Sequence, residues 1–300
     1  MTTLDPVTAP APATTTLDPT VAREAWRLAE PLHAMVYFAP EANERFEALG
    51  ISPRAGYFAS RGGAFGPVGP GPVTASFYNF HPRLVARYLP AVWELTDPAA
   101  VIQARLDAAS AALTRGLGTE TLRSDQVTEA ATLIRRAAES APAHLSGRPL
   151  YAAHTDLAWP EEPHLVLWHG QTLLREFRGD GHVAALLFAG LSGLESMVLH
   201  TASGEADERF LRTSRGWSQD EWTAAADSLR ARGLLADDGL TDEGHTLRAH
   251  IEAHTDRLAA PAYEVLGVDG CQRLAELVRP LSRTLVKAGF LAGALPARSN

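Results

Sequence analysis

The chain has 300 residues, 46% hydrophobic and 21% charged, with a formal net charge of −8. That composition suits a globular protein with one or two substantial cores, and the acidic balance argues against a general affinity for nucleic acid or anionic membrane. A single cysteine, Cys271, excludes an intramolecular disulfide and any multi-cysteine metal or iron–sulfur centre.

No apolar run reaches the length of a membrane span, and the N-terminus lacks a basic start and an apolar core segment, so the expectation is a cytoplasmic protein. Residues 1–20 repeat TTLDP around a Pro/Ala/Thr spacer and read as a disordered tail. A helical period begins at Val21, with Pro31 expected to kink or break it. Pro40 opens a further helix that Gly50 stops. Residues 52–72, dense in Gly and Pro, read as a long irregular loop of the kind that carries binding or lid functions. Pro82 begins a helix ending near Trp93, and Asp97-Pro98 caps and opens another that runs to about Leu117. A weaker helix covers 124–140. Two strong helices are expected at 163–177 and 182–200, separated by Arg178-Gly179-Asp180-Gly181, and a shorter one at 205–213.

The segment 217–258 reads as helix, wing, helix. Ser218 caps the first helix and Gly233 ends it; Leu234-Leu235 enter a ribbon turned at Asp237-Asp238-Gly239; Thr241 caps a helix running to about Leu258. C-terminal helices follow at 261–267 and 269–290. The predicted fold is mainly all-α, a multi-helix bundle followed by a winged helix with a short β wing. Its expected organisation is a tail (1–20), a helical ligand-binding domain (21–203), a winged-helix-like domain (204–258) and C-terminal helices (259–300).

The densest polar cluster lies at 163–186. His169 and Glu176 share a helical face, Arg175 and Arg178 lie three apart on a neighbouring one, and a break at 179–181 would let Asp180 cap the next helix while His182 turns back. Such a corner suits an anionic ligand held by guanidinium groups while a histidine, His169, moves a proton. The competing reading is a structural joint in which Glu176 and Asp180 pair with Arg175 and Arg178. His33 and Tyr37 are four apart, and Tyr78, Asn79 and the lone cation Arg61 add a second polar and aromatic set. His164 and His169 cannot chelate jointly, and His250 and His254 fall on a solvated helix face among Glu252 and Asp256. No motif therefore assigns a metal, and no cofactor is named.

The stretches EPLHAMVYFAPEANERFEALG, FYNFHPRLVARYLPAVW, HLVLWHGQTLLREFRGDGHVAAL and RGWSQDEWTAAADSLRARGLL resemble an actinobacterial family labelled helix-turn-helix proteins, over nearly everything after the tail. The resemblance implies a winged-helix region related to the multiple-antibiotic-resistance regulators. Its DNA contacts would fall in 218–232 and nearby, with Arg215, Trp217, Arg230 and Arg232 as candidates. Carboxylates outnumber arginines across 205–256, which opposes phosphate contact. Two readings follow. One is a small-molecule-binding, ligand-responsive transcriptional regulator, expected as a homodimer. The other is a biosynthetic enzyme or accessory protein that uses an acidic winged helix for packing or dimerisation.

Overall fold

Proline in the first turn of a helix sacrifices no hydrogen bond, because the N–H it lacks would have no intrahelical partner, and this chain uses it repeatedly. The computed structural model describes residues 17–291; most of the expected tail, 1–16, lies outside the described residues. The first helices are α1 (Pro19–Ala34), α2 (Pro40–Ala48), α3 (Pro53–Gly62), α4 (Pro70–Phe77), α5 (Pro82–Ala86) and α6 (Pro98–Leu117), each opened by proline. They are followed by α7 (Thr119–Leu122), α8 (Asp125–Ser140), α9 (Pro149–Thr155), α10 (Pro163–Phe188), α11 (Gly193–Ala202), α12 (Glu208–Arg215) and α13 (Gln219–Ala231). A two-stranded antiparallel hairpin, β1 (Leu235–Ala236) and β2 (Gly239–Leu240), leads to α14 (Asp242–Ala259) and α15 (Gly267–Lys287).

Five expectations need correction, the first being the helix expected from Pro82 to near Trp93, which ends at Ala86 and gives way to a turn and a 3-10 segment at Ala91–Glu94. Order begins before residue 20: Leu17 is buried, and Asp18 caps α1 by accepting from the Thr20 N–H at 2.9 Å. Pro31 falls in the last turn of α1, which continues to Ala34. The region 52–72 is largely helical, α3 and the start of α4 flanking a 3-10 turn at Gly63–Phe65. Pro53, Pro70 and Pro72 lie in the first turns of helices, with Pro67 in the connection between them, and its glycines include contact residues: a Cβ on Gly56 would lie 2.2 Å from the Phe46 ring. Finally, 163–188 is one continuous helix of 26 residues, so 179–181 makes no break. Gly170, Gly179 and Gly181 cost about 1 kcal/mol each, and burial of most of α10 outweighs that. At Gly181 an added Cβ would meet Arg148 Nη1 at 2.9 Å and Leu258 Cβ at 3.1 Å, so the missing side chain is what lets α9 and α14 approach α10.

Residues from α1 to α10 and from α15 form one large apolar core, with α1 packed along α15, α8 and α14 against α10, and α2 on α6. A second core gathers Ala185 and Leu186 at the end of α10, Leu194 and Met197 to Leu199 of α11, Trp222 and Leu229 of α13, Leu235 of β1 and Ile251 of α14. The helix termini in this second region follow the local signals: Ser218 and Glu221 form a reciprocal capping box, and Thr241 accepts from the Gly244 N–H. Among the described residues no single helix is long and apolar enough to cross a membrane; α10 and α11 meet both conditions only as a pair bent by 96°.

Candidate functional site: a cationic cavity at the joint

A cavity of about 360 Å³ lies where the bundle meets the second core. Its walls come from Trp26 of α1, Tyr57 and Arg61 of α3, the 76–80 segment, Leu150 of α9, the 175–186 face of α10, Ser196 of α11, Arg215 of α12, and Glu252 and Thr255 of α14. It opens into a wider cleft of about 880 Å³ between α11, α12 and α14, with which it shares Asn79, His182, Leu186, Ser196, Arg215 and Glu252.

The arginines of α10 project at successive turns and are held by carboxylates far away in sequence. Arg61 reaches Glu176 through Nε at 3.1 Å and Nη2 at 2.8 and 2.9 Å, a forked contact within the protein interior. Arg175 Nε donates to Glu30 at 2.8 Å. Arg178 donates to Asp256 at 2.7 Å and to Glu252, and Arg23 approaches the same two acids. Burial pushes the Glu176 carboxyl up, but Arg61 and Arg175 outweigh it and hold it at about 2. These pairings differ from the joint expected from sequence, in which Glu176 and Asp180 neutralised Arg175 and Arg178: Arg175 is a secondary neighbour of Glu176 at 3.6 Å, and Arg178 turns to α14.

Asp180 sits apart from those pairs. It accepts the Tyr151 N–H at 2.8 Å, with Arg148 nearby, but burial and the Glu176 charge prevail and raise its carboxyl to about 6. Beside it, His182 Nδ1 lies 2.9 Å from Thr255 Oγ1, whose own hydrogen goes to Ile251 O at 2.8 Å. The hydroxyl can therefore only accept from His182, which fixes the Nδ1–H tautomer and leaves Nε2 with its lone pair. Burial lowers the His182 pKa and keeps the ring neutral.

Arg215 is the exception among the cavity cations. No carboxylate pairs with it among the described residues; Nη1 donates to Ser214 Oγ at 2.9 Å, the guanidinium lies 4.8 Å from the Phe80 ring centre, and Nε is buried without a partner. Burial, reinforced by Arg54, Arg61 and Arg175, makes its proton easier to lose than that of a free arginine. Arg61 Nη1 donates to the Tyr57 hydroxyl at 3.1 Å. Burial pushes that phenol up, while Arg61, Arg215 and Arg175 outweigh burial and bring it down. An anion in the cavity would meet an unspent positive charge and an aromatic and aliphatic wall.

The wall at 76–80 is also the strap that fixes the joint. Tyr78 takes φ +57, rare for a residue with a side chain and costing about 1–3 kcal/mol. Its hydroxyl donates to Leu191 O. Trp217 Nε1 donates to Asn79 O at 2.9 Å, the His81 N–H donates to Arg215 O at 2.9 Å, and His81 Nε2 lies 3.0 Å from Glu221. The 216–218 turn between α12 and α13 is thereby braced against the bundle.

Of the residues singled out in the sequence, Arg61, Tyr78, Asn79, Arg175, Glu176, Arg178, Asp180 and His182 line the cavity together. His33, Tyr37 and His169 do not. His33 is buried, stacked on Trp168 with ring centres 5.1 Å apart, and burial drives its pKa well down. Tyr37 accepts from Arg105 at 2.9 Å. His169 lies edge-on to Trp159, burial holds it at about 4, and so placed it cannot be the cavity's proton carrier. The DNA candidates divide: Arg215 and Trp217 turn inward, whereas Arg230 and Arg232 stay on the surface. There Arg230 pairs with Asp227 at 2.8 Å, and Arg232 donates to Gly190 O at 3.1 Å beside Glu195. On α14, His250 and His254 are exposed as expected, but Glu252 and Asp256 face inward to Arg178 rather than solvent. Sequence reasoning missed Trp26, Tyr57, Phe77, Phe80 and Thr255. The three-residue spacing of Glu252 and Thr255 was a weak available signal, the aromatic run Phe77-Tyr78-Asn79-Phe80 was a stronger one, and nothing local marked Trp26 or Tyr57.

No curated protein and no solved structure matches the chain. A family model described as the helix-turn-helix family matches residues 22–292, the bundle as well as the 208–231 helix pair and its turn. The chain belongs to that helix-turn-helix family.

Proposed function

We propose that the protein binds a small organic anion in the cavity at the joint and that occupancy sets how the 193–259 module sits on the bundle, the arrangement of a ligand-responsive regulator. The module is read as a winged helix, with α12 and α13 as the helix-turn-helix and the 235–240 hairpin as the wing. The observation that carries this reading is Arg215: a largely buried guanidinium without a carboxylate partner among the described residues, contributed by the module to a cavity whose other arginines come from α3 and α10. An anion bridging Arg215 and the bundle cations would neutralise that charge and tie the two cores together. The remaining lining, Trp26, Phe77, Phe80, Val183 and Leu186, suits an apolar body on that anion. Under this reading the protein works as a homodimer on paired half-sites.

A second reading is favoured by the outer face of α13. Asp220 and Asp227 are exposed there, and Arg230 and Arg232 are engaged by carboxylates or carbonyls. A module so charged would serve as a wall of a ligand-binding enzyme or accessory protein rather than as a reader of duplex DNA. A mobility-shift titration at low salt against the DNA upstream of its own coding sequence, with and without benzoate as an organic-anion probe, separates them. Retardation that benzoate alters supports the regulator. Benzoate binding with no retardation at any salt concentration overturns it and leaves the wall reading.

A further inference from the structure

A second buried guanidinium faces a different pocket. Arg105 of α6 is 4% exposed and has no carboxylate within ion-pair distance among the described residues. Its Nη2 donates to the Tyr37 hydroxyl at 2.9 Å and lies 3.3 Å from His33 Nε2, its Nε is sealed without a partner, and Nη1 makes no hydrogen bond. Burial is the largest cost to its charge, and Glu176 offsets only part of what the neighbouring cations add. Arg61 and Arg175 repel it, their own carboxylates are committed elsewhere, and His33 is held neutral by burial. A buried cation in such a setting is normally compensated.

The group available to compensate it is set by the pocket. A pocket of about 40 Å³ lies between the end of α1, α2, α3 and α6, lined by Tyr37, Asn43, Tyr57, Ser60 and Arg105 among apolar side chains. Asn43 is exposed, so the pocket reaches solvent there, with the buried Arg105 among its walls. The polar side chains are donors with hydrogens to spare. Tyr37 and Tyr57 already accept from Arg105 and Arg61, neither hydroxyl donates to an acceptor, and Ser60 makes no side-chain hydrogen bond. No carboxylate lines it. A guanidinium and three hydroxyl donors with no carboxylate among them select an anion over a cation, and the volume admits a monatomic ion with a water or two but no organic molecule.

We propose that this pocket is a halide site, a chloride ion held by Arg105 Nη1 and by the Tyr37, Tyr57 and Ser60 hydroxyls. Tyr57 lines both this pocket and the joint cavity, so the two sites stand back to back across one phenol. The inference is independent of the organic-anion reading, because it uses Arg105 and not Arg215.

The test compares thermal unfolding at fixed ionic strength in sodium gluconate and in sodium chloride or bromide, for the wild type, Arg105→Met and Arg215→Met. Crystals grown in bromide supply an anomalous map of the wild type. The expected result is a midpoint at least about 2 °C higher in halide than in gluconate for the wild type and Arg215→Met. That difference should vanish in Arg105→Met, and an anomalous peak should lie beside Arg105. Midpoints insensitive to halide in the wild type, or a bromide map empty at Arg105 with water alone in the pocket, overturn the proposal. Should Arg105→Met fail to fold, the wild-type map decides.

Discussion

Asp180→Asn should stabilise the protein at neutral pH. The Asp180 carboxyl is raised to about 6 in the folded chain, chiefly by burial, against an ordinary value near 3.9 when unfolded. For an acid raised in this way the neutral form is the one the fold favours. Below about pH 4 the group is neutral in both states and costs nothing. Between about 4 and 6 the unfolded state has ionised while the folded state has not, and stability falls with rising pH by about 1.4 kcal/mol per unit. Above 6 the cost levels off at about 3 kcal/mol. Asparagine keeps an oxygen to accept the Tyr151 N–H and removes the charge, so it should recover most of that cost at pH 8 and almost none at pH 4. Urea unfolding of the wild type and the variant at pH 4, 5, 6, 7 and 8 reads the difference directly. A gain that grows with pH and levels off above 6 is expected. A variant less stable than the wild type at pH 8 would mean that Arg148 and the Tyr151 N–H hold the carboxylate charged, which would refute the argument. A side chain that weakens the fold at neutral pH while lining a cavity is a candidate for ligand contact.

Three further outcomes follow from the same geometry. Arg61→Met leaves the buried Glu176 without its forked partner, with only Arg175 at 3.6 Å, and should cost about 3 kcal/mol, whereas Arg61→Met with Glu176→Leu should recover much of the loss, as a double-mutant cycle in urea would show. Trp217→Phe removes the hydrogen bond to Asn79 O and loosens the ring contact with His81. It should cost about 1 kcal/mol and speed amide exchange in α12 and α13 while leaving α8 and α15 unchanged. Cys271 is buried, and burial raises its thiol to about 11, so a thiol reagent at pH 8 should label it only after unfolding.

The parts of the fold that were legible in the sequence are those written in local chemistry. The Ser218 cap, the Gly233 stop and the Thr241 cap each act within a few residues, and all three stand in the structure, whereas the turn read at 237–239 narrows to Asp237-Asp238, with Gly239 paired to Ala236 in β2. The segment 52–72 was misread because the same letters serve two ends: Pro53 and Pro70 look like loop residues but open helices, and Gly56 is small because Phe46 lies against it. Continuity of α10 through Gly179 and Gly181 is a tertiary effect, visible only once Arg148 and Leu258 are seen against Gly181. The candidate site divides in the same way. The density of charge at 175–182 was evident, but the partners Glu30, Glu252 and Asp256 come from other helices. The inward turn of Arg215 depends on how α12 lies against the 78–81 strap.

Calorimetric titration of benzoate into the wild type and Arg215→Met, in Tris–chloride buffer at fixed ionic strength, tests the joint cavity most directly. The prediction is one site per chain in the wild type, with affinity reduced at least about tenfold, 1.4 kcal/mol, in the variant. Equal binding by the two proteins, or no heat with either, would contradict the claim that Arg215 and the α10 arginines form an organic-anion site.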